Sequence, residues 1–242
     1  MGTIKKYGAF LFKYRNYIFL VASVLLFFGF EPVSFAGNKI INLWLNSLGL
    51  TIISIGLIIR AAVIGLAYIK RGGLNKKVYA ETLVTTGLFA HCRNPLYLGN
   101  ILIITGLFIV HNNPWVYLIG FSFFLFSYYS IIIIEEDYLL NKFGIEFEEY
   151  CKNTSRLLIN TKGLKQTLTG MKFNWKRVIA KDYTTIATAL ITYLLLLAEE
   201  HIYLSGFDAS QEFLRTITIY TCLIIVLIAT VKICKKIGMF SE

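Results

Sequence analysis

Charged residues are scarce in this chain. Aspartate, glutamate, lysine and arginine together make up 16% of the 242 residues, whereas hydrophobic residues make up 56%. The apolar residues lie in long runs and not in the alternating or one-faced patterns of a soluble core. This composition excludes a soluble globular domain. It predicts an all-α integral membrane protein, because a helix satisfies its own backbone hydrogen bonds inside a bilayer.

Cysteine and histidine are also few. The four cysteines form no CxxC pair, and in the cytoplasm or the membrane they are not expected to form disulfides. The three histidines show no zinc-ligand spacing, so no metal site is predicted. No GxGxxG or GxxxxGK[ST] motif is present, which excludes a soluble nucleotide-binding fold as the host of a cofactor.

Six apolar runs are candidates for membrane spans. A hydrocarbon core about 30 Å thick needs roughly 20 residues of helix. The turn at residues 111–114 makes the third and fourth runs an antiparallel hairpin, and the first run lacks a signal-peptide cleavage pattern, so we expect it to remain as an anchor. The third and fifth runs are short for a full crossing. The runs cover about residues 17–35, 41–69, 96–110, 115–134, 183–198 and 213–233.

Basic residues predict the orientation. They cluster before the first span, between the second and third, between the fourth and fifth, and after the sixth, while the opposite loops carry almost none. The positive-inside rule therefore predicts that both termini are cytoplasmic. The net charge of +10 is interpreted as the result of basic residues that orient the chain in the membrane and attract anionic lipid headgroups. It is not interpreted as a nucleic-acid-binding surface.

Polar chemistry is concentrated between residues 85 and 156. Asn94-Pro95 is typical of a helix start, in which the Asn94 side-chain oxygen caps the first turn and Pro95 takes the first helical position. The free N–H groups of that turn, with Arg93 beside them, predict an anion site. Tyr97 offers an aromatic face and a hydroxyl, and Gly99 lets a second group approach the backbone.

Acidic residues lie at the other end of the hairpin. Glu135, Glu136 and Asp137 follow directly on the apolar run of the fourth span. Because an antiparallel hairpin returns to its starting level, Glu135 and Glu136 are expected at the depth of Arg93 and Tyr97. Such acids either face a cavity and pair with cations or face water as stop signals.

A ligand with a carboxylate, a neighbouring ammonium and an aromatic ring at its far end matches these groups. S-adenosylmethionine is such a ligand. Its sulfonium and ammonium favour carboxylates, and its carboxylate favours Arg93 or helix N–H groups. Its adenine favours contacts around Leu88, Phe89 and Tyr97.

The same residues carry a family resemblance. LVTTGLF…RNPLYLG, a two-helix hairpin, and EE…L…FG…EY with a trailing Arg resemble the C-terminal signature of the isoprenylcysteine carboxyl methyltransferase and phospholipid methyltransferase superfamily. The resemblance covers about residues 78–156, near a third of the chain. It implies a cytosol-facing S-adenosylmethionine pocket, formed by the helical hairpin and the amphipathic helices that follow, and a lipidic or lipid-modified acceptor that enters from the bilayer.

The resemblance also implies roles for individual residues. Arg93, Glu136 and Arg156 are the candidate catalytic residues, with Arg156 near the acceptor. Asn94 departs from the His common in the family, and His91 is close enough in sequence to supply the missing hydrogen bond; the Pro often found after the trailing Arg is absent as well. Tyr150, in a predicted interfacial helix from residue 145, is expected to close over the cofactor. The implied cofactor contacts are Gly87, Leu88, Phe89, His91, Arg93, Asn94, Pro95, Tyr97, Leu98, Gly99, Glu135, Glu136 and Tyr150.

The chemistry of methyl transfer leaves the acceptor open. Displacement at a sulfonium has a good leaving group, so positioning and exclusion of water supply most of the acceleration. A carboxylate acceptor needs only a cationic partner such as Arg93 or Arg156. An amine acceptor must lose a proton, and Glu136 or a neighbouring tyrosine could accept it.

Three functional hypotheses are weighed. The first, which we favour, is an S-adenosylmethionine-dependent membrane methyltransferase acting on a prenylcysteine-like carboxylate or a phospholipid amine. The second is an NADPH-dependent membrane reductase resembling sterol reductases; Glu135 and Glu136 disfavour it, since a phosphate-rich cofactor prefers basic residues. The third is a non-catalytic membrane scaffold.

The remaining sequence predicts organisation more than chemistry. Residues 1–77 form an N-terminal transmembrane hairpin, residues 78–160 the methyltransferase core, and residues 161–242 a linker and a C-terminal transmembrane hairpin. Arg60 inside the second span is interpreted as functional, with pairing to a carbonyl or snorkelling as alternatives. The last two spans carry no motif; they brace the fold, shape the acceptor tunnel or make an oligomer contact.

Overall fold

All regular secondary structure in the described part of the chain is helical. The computed structural model describes residues 2–34, 38–66 and 78–240. The predicted all-α integral membrane architecture is confirmed. The α-helices are α1 (Thr3–Gly29), α2 (Lys39–Leu66), α3 (Pro95–His111), α4 (Phe121–Phe143), α5 (Ile145–Asn153), α6 (Leu164–Thr169), α7 (Trp175–Ser205) and α8 (Gln211–Lys236).

Five helices are long and apolar enough to cross a membrane: α1, α2, α7, α8, and α4 together with the π-helical turn before it. With 17 residues, α3 is about 25 Å long at 1.5 Å per residue, so the prediction of a short third span is confirmed. The short fifth span is wrong, because α7 has 31 residues. Asp182 interrupts the apolar run there but not the helix. The predicted ends of the first two spans, at residues 35 and 69, and the basic residues of 70–77 lie outside the described residues.

The predicted turn between the third and fourth spans is present. Asn112 adopts a left-handed conformation with φ 53° and ends α3. The side-chain oxygen of Asn113 accepts a hydrogen bond from the Trp115 backbone N–H at 2.8 Å. The chain then passes through the π-helical turn Val116–Gly120 into α4, so α3 and α4 run in opposite directions.

Four glycines bring α2 and α3 into backbone contact. A Cβ added to Gly56 would lie 2.6 Å from the Gly99 carbonyl oxygen, and one added to Gly99 would lie 2.9 Å from the Gly56 carbonyl oxygen. Gly49 and Gly106 repeat the arrangement further along the helices. Such close approach of two helices is typical of membrane proteins, where packing replaces the hydrophobic effect as the driving force. This glycine seam fixes α2 against α3.

The remaining long helices, α1, α4, α7 and α8, pack around α2 and α3 and against one another. α1 packs on α4, where Gly8 faces the Ser130 backbone and Lys5 forms an ion pair with Asp137 at 2.5 Å. α7 packs on α2, α3 and α8. The apolar core, which includes Phe27, Ile53 and Phe108, occupies the end of the bundle where α3 meets α4. At the opposite end, where α3 begins and α4 ends, α1 and α7 are separated by a cavity.

Candidate functional site

A large cavity enters the bundle from the end at which α3 begins. Its volume is about 870 Å³, near the upper end of the roughly 300–1,000 Å³ of typical ligand pockets. Residues of α1, α3, α4 and α7 form its walls, and residues 78–84 and α5 cover its mouth. Both Pro95 and Leu107 line it; twelve residues of helix separate them, so the cavity extends about 18 Å along α3.

One side of the cavity is open between α1 and α7. Leu20 on α1 is 57% exposed, and Thr184 and Thr188 on α7 are also exposed, yet all three line the cavity. Both α1 and α7 are long and apolar enough to cross a membrane, so this side of the cavity lies between two candidate membrane spans. The cavity therefore has two accesses, one at the mouth and one from the side.

Tyr97 and Glu135 form the first polar group of the mouth. The Tyr97 hydroxyl donates a hydrogen bond to Glu135 Oε1 at 2.7 Å and accepts one from Arg15 Nη1 at 3.2 Å. The Arg15 guanidinium also lies over the Phe12 ring, 4.7 Å from its centroid. All four residues line the cavity. The predicted meeting of α3 and the end of α4 at one depth is thus observed, and α1 adds a cation to it.

Glu136 is the centre of the second group. Its carboxylate accepts from Arg156 Nε at 3.0 Å and from Arg156 Nη2 at 2.7 Å. Arg93 Nε lies 3.5 Å from Glu136 Oε1 as an ion pair and, buried, makes no hydrogen bond. The hydrogen bonds and charge of Glu136 raise the pKa of Arg156 further above its ordinary value. Arg93 lines the cavity with a side chain that is 13% exposed, which places its positive charge at the mouth beside Glu136.

Asn94 is placed as predicted but bonds differently. It occupies the N-cap position of α3, with Pro95 next, but its side chain makes no cap hydrogen bond, so that part of the prediction is wrong. Its amide donates instead to Glu136 Oε1 at 3.3 Å and to the Arg156 carbonyl at 3.2 Å. These bonds use the amide nitrogen as donor, whereas a cap would use the side-chain oxygen as acceptor; they turn the Asn94 amide toward Glu136 on α4 and toward the segment that closes the mouth.

The segment after α5 is bonded to the turn before α3. The backbone N–H of Arg93 donates to the Ser155 carbonyl at 2.9 Å, and that of Asn94 donates to the Arg156 carbonyl at 3.2 Å. Both ring nitrogens of His91 are engaged, one with the Asn160 carbonyl at 2.7 Å and one with Thr167 Oγ1 at 2.8 Å. These bonds hold the covering segment against the hairpin.

Tyr150 on α5 closes part of the mouth. Its hydroxyl donates to the Phe89 carbonyl at 2.6 Å, and both residues line the cavity. Burial raises the pKa of Tyr150 well above its ordinary value, so the hydroxyl stays a donor at neutral pH. The predicted helix from residue 145 is present and extends to Asn153; its location at the membrane interface stays a prediction.

A buried ion pair lies deeper in the bundle. Arg60 on α2 donates two hydrogen bonds to the Asp182 carboxylate on α7, from Nε at 3.0 Å and from Nη2, and the two side chains are 3% and 1% exposed. Arg60 also donates to Asn100 and, at 3.2 Å, to Thr185. Of the alternatives for Arg60, snorkelling is not observed; its charged partner is the Asp182 carboxylate, and the side-chain carbonyl of Asn100 is a further acceptor.

The structure separates the predicted site residues into two sets. Gly99 packs in the glycine seam, and Met171 lies over Gly87. The sequence analysis did not identify Arg15, Asn100, Tyr128 or Asp182 as site residues. Only Asp182 could have been found from the sequence, because it is a charged residue beside an apolar run and could have been matched with Arg60. Those that line the cavity are Phe89, Arg93, Asn94, Pro95, Tyr97, Glu135, Glu136 and Tyr150. Those outside its lining are Gly87, Leu88, His91, Leu98, Gly99 and Arg156.

Comparison with known proteins identifies the family of the chain. A family model for phospholipid methyltransferases matches residues 43–146, from α2 through the start of α5. The chain is 31% identical to Protein-S-isoprenylcysteine O-methyltransferase A of Arabidopsis thaliana over 144 residues, 58% of this chain and 72% of that protein. It is 30% identical to Protein-S-isoprenylcysteine O-methyltransferase of Xenopus laevis over 125 residues, 50% of this chain and 43% of that protein. No solved structure matches. The chain belongs to the superfamily of membrane methyltransferases that includes the isoprenylcysteine and phospholipid enzymes.

Proposed function

We propose that the protein transfers a methyl group from S-adenosylmethionine to a lipophilic acceptor, with the cofactor at the polar mouth and the acceptor in the deeper part of the cavity. The observation that carries the proposal is the mouth itself, where Arg93, Glu135 and Glu136 line one cavity that also has exposed lining residues on α1 and α7. The positive-inside rule predicts that this mouth faces the cytoplasm.

The charges of the mouth match those of the cofactor. The positive charge of Arg93, which lines the mouth, attracts a ligand carboxylate. An ammonium and a sulfonium are stabilised by the Glu135 and Glu136 carboxylates, and the rings of Phe89 and Phe147, which also line the mouth, offer faces for adenine. S-adenosylmethionine supplies an activated methyl group, and the residues of the site position the two reactants and exclude water from them.

The two carboxylates have different tasks. Glu136 is held by Arg156 on one side and Arg93 on the other, so it fixes the covering segment over the mouth. Glu135 is bonded to the Tyr97 hydroxyl and faces the cavity, where an acceptor amine could pass it a proton. With a carboxylate acceptor no proton moves, and Arg15 supplies the nearest cation.

The acceptor is proposed to arrive through the opening between α1 and α7. The cavity behind that opening is lined by apolar residues such as Phe19, Ile103 and Phe124, which suit a hydrocarbon chain. A lipid can therefore slide from the bilayer into the site without leaving an apolar environment. The isoprenylcysteine relatives and the phospholipid methyltransferase family both have names that specify lipidic acceptors.

Calorimetric titration of detergent-purified protein with S-adenosylmethionine tests the cofactor. We expect binding by the wild type and a loss of affinity of about tenfold, or about 1.4 kcal/mol, in Glu135→Gln, because the amide removes the negative charge that faces the ligand. Asp137→Asn is the matched control: Asp137 pairs with Lys5 at 2.5 Å and does not line the cavity, so its affinity should equal that of the wild type.

Two results would contradict the proposal. One is an absence of S-adenosylmethionine binding by folded, lipid-supplemented wild type together with saturable binding of NADPH, which would support the reductase hypothesis. The other is equal affinity in the wild type, Glu135→Gln and Glu136→Gln, which would place the cofactor elsewhere.

A further inference from the structure

One face of α7 presents a row of hydroxyl groups to the cavity. Thr184, Thr188 and Thr192 all line it and follow one another at intervals of four residues, which places them on one side of the helix. From the first to the third the row extends about 12 Å. We call these three residues the threonine ladder. It lies beyond residues 43–146, the part matched by the family model.

The ladder hydroxyls differ from several other threonine hydroxyls in the membrane helices. Thr51 bonds back to the Ser47 carbonyl at 2.8 Å and Thr230 to the Val226 carbonyl at 2.9 Å. Thr216 and Thr218 on α8 do the same with the carbonyls four residues before them, whereas the hydroxyl of Thr221 on α8 is buried without a partner in the described part of the chain. Among the described residues, the hydroxyls of the ladder have no hydrogen-bond partner. Because an unpaired hydroxyl in an apolar medium is costly, the molecule in the cavity is expected to supply the partners.

The position of the ladder is fixed by the ion pair beside it. Asp182 is bonded to Arg60 through two hydrogen bonds, and Arg60 also donates to Thr185 at 3.2 Å. These bonds fix the rotation of α7 about its own axis and therefore the side of the helix on which the threonines lie. The cavity lining also includes the aromatic rings of Phe19 and Phe124. The deep cavity therefore combines hydroxyl groups with apolar surface.

We propose that the threonine ladder selects the acceptor and favours a lipid with acyl ester or amide groups between its head and its hydrocarbon chains. The threonine hydroxyls donate to the carbonyl oxygens of those groups, and the chains lie against the aromatic rings. A prenyl chain has no hydrogen-bond acceptor along its length and would leave all three hydroxyls unpaired. The inference rests on the proposed function and specifies the acceptor of the same site.

The experiment measures lipid preference directly. Detergent-purified protein is incubated with an equimolar mixture of phosphatidylethanolamine carrying two oleoyl ester chains and its analogue with two ether-linked chains, and the retained lipids are counted by native mass spectrometry. We expect the wild type to retain the diester at least about tenfold over the diether, because an ether oxygen accepts a hydrogen bond more weakly than a carbonyl. The triple variant Thr184→Val, Thr188→Val and Thr192→Val should retain both within about twofold.

A matched triple variant on the lipid-exposed helix serves as the control. Thr216→Val, Thr218→Val and Thr230→Val remove hydroxyls that bond to their own helix, and the diester preference should persist. Equal retention of the two lipids by the wild type would overturn the proposal, as would a preference that survives in the ladder variant. Calorimetric S-adenosylmethionine binding, measured in parallel, reports on the proposed function separately, because the ladder variant should bind the cofactor with wild-type affinity.

Discussion

Replacing Asp182 with asparagine tests whether the buried ion pair holds α7 in the bundle. The substitution keeps the size of the side chain and removes its charge. Arg60 would then be left 3% exposed with only neutral partners, Asn100, Thr185 and the new amide. Removing one partner of a buried pair costs about 3–5 kcal/mol, since the remaining charge is uncompensated. We expect Asp182→Asn to lower the free energy of unfolding by that amount.

The assay is equilibrium unfolding in mixed micelles with increasing sodium dodecyl sulfate, followed by tryptophan fluorescence. The Lys5–Asp137 pair, whose side chains are 35% and 32% exposed, is the control: Asp137→Asn should cost about 0–1 kcal/mol, as exposed pairs do. A double variant, Arg60→Met with Asp182→Leu, should lie within about 1 kcal/mol of the wild type, because replacing both partners by apolar residues removes the uncompensated charge.

Two results would refute this reasoning. If Asp182→Asn costs no more than Asp137→Asn, the pair is not buried from water in the membrane. If the double variant is as unstable as the single variant, the loss comes from packing of the side chains and not from charge.

Two further predictions concern the glycine seam and the cover of the mouth. Gly99→Ala should destabilise the protein by about 1–3 kcal/mol in the same unfolding assay, because its Cβ would lie 2.6 Å from Arg60 Cγ and 2.9 Å from the Gly56 carbonyl; unchanged stability would show that the helices can separate. For Tyr150, burial raises the folded-state pKa, so its stabilisation of the mouth is complete below the unfolded value of about 10 and declines as the pH rises toward the folded value. Tyr150→Phe should lose the hydrogen bond to Phe89, so a protease should cleave the covering segment faster at neutral pH. The variant should also lack the loss of protection that the wild type shows at alkaline pH. Equal cleavage rates in the two proteins would contradict a stabilising role of this bond.

The mouth could be predicted from the sequence because a hairpin is local. A short turn at residues 111–114 forces α3 and α4 to run antiparallel, so Asn94 and Tyr97 must meet Glu135 and Glu136, as they do. Apolar run length was enough to predict the membrane architecture. The length of the fifth span was predicted wrongly. The charge of Asp182 ended the predicted span, but in the folded protein Asp182 is paired with Arg60 and the helix continues past it.

The deeper site could not be predicted, because it depends on contacts between distant segments. Asp182 is 122 residues from Arg60, and nothing in the sequence fixes the rotation that turns it toward α2. Gly99 illustrates a subtler limit. Its lack of a side chain correctly indicated a close approach to the backbone, but the approaching group is α2, and glycine does not specify its neighbour. Asn94 likewise had a local cap and a distant carboxylate available, and only the fold sets the direction in which its amide points.

The Arg60–Asp182 pair also constrains how the protein is made. The 122 residues between the partners take roughly 6–24 s to synthesise at about 5–20 residues per second. Throughout that interval Arg60 has no carboxylate from α7. Asn100 on α3 is the acceptor that is synthesised early enough to bond Arg60 before α7 is made. Insertion of α7 then supplies the Asp182 carboxylate and the cavity wall that carries Thr184 and Thr188, so the cavity is completed only when the C-terminal hairpin is in place.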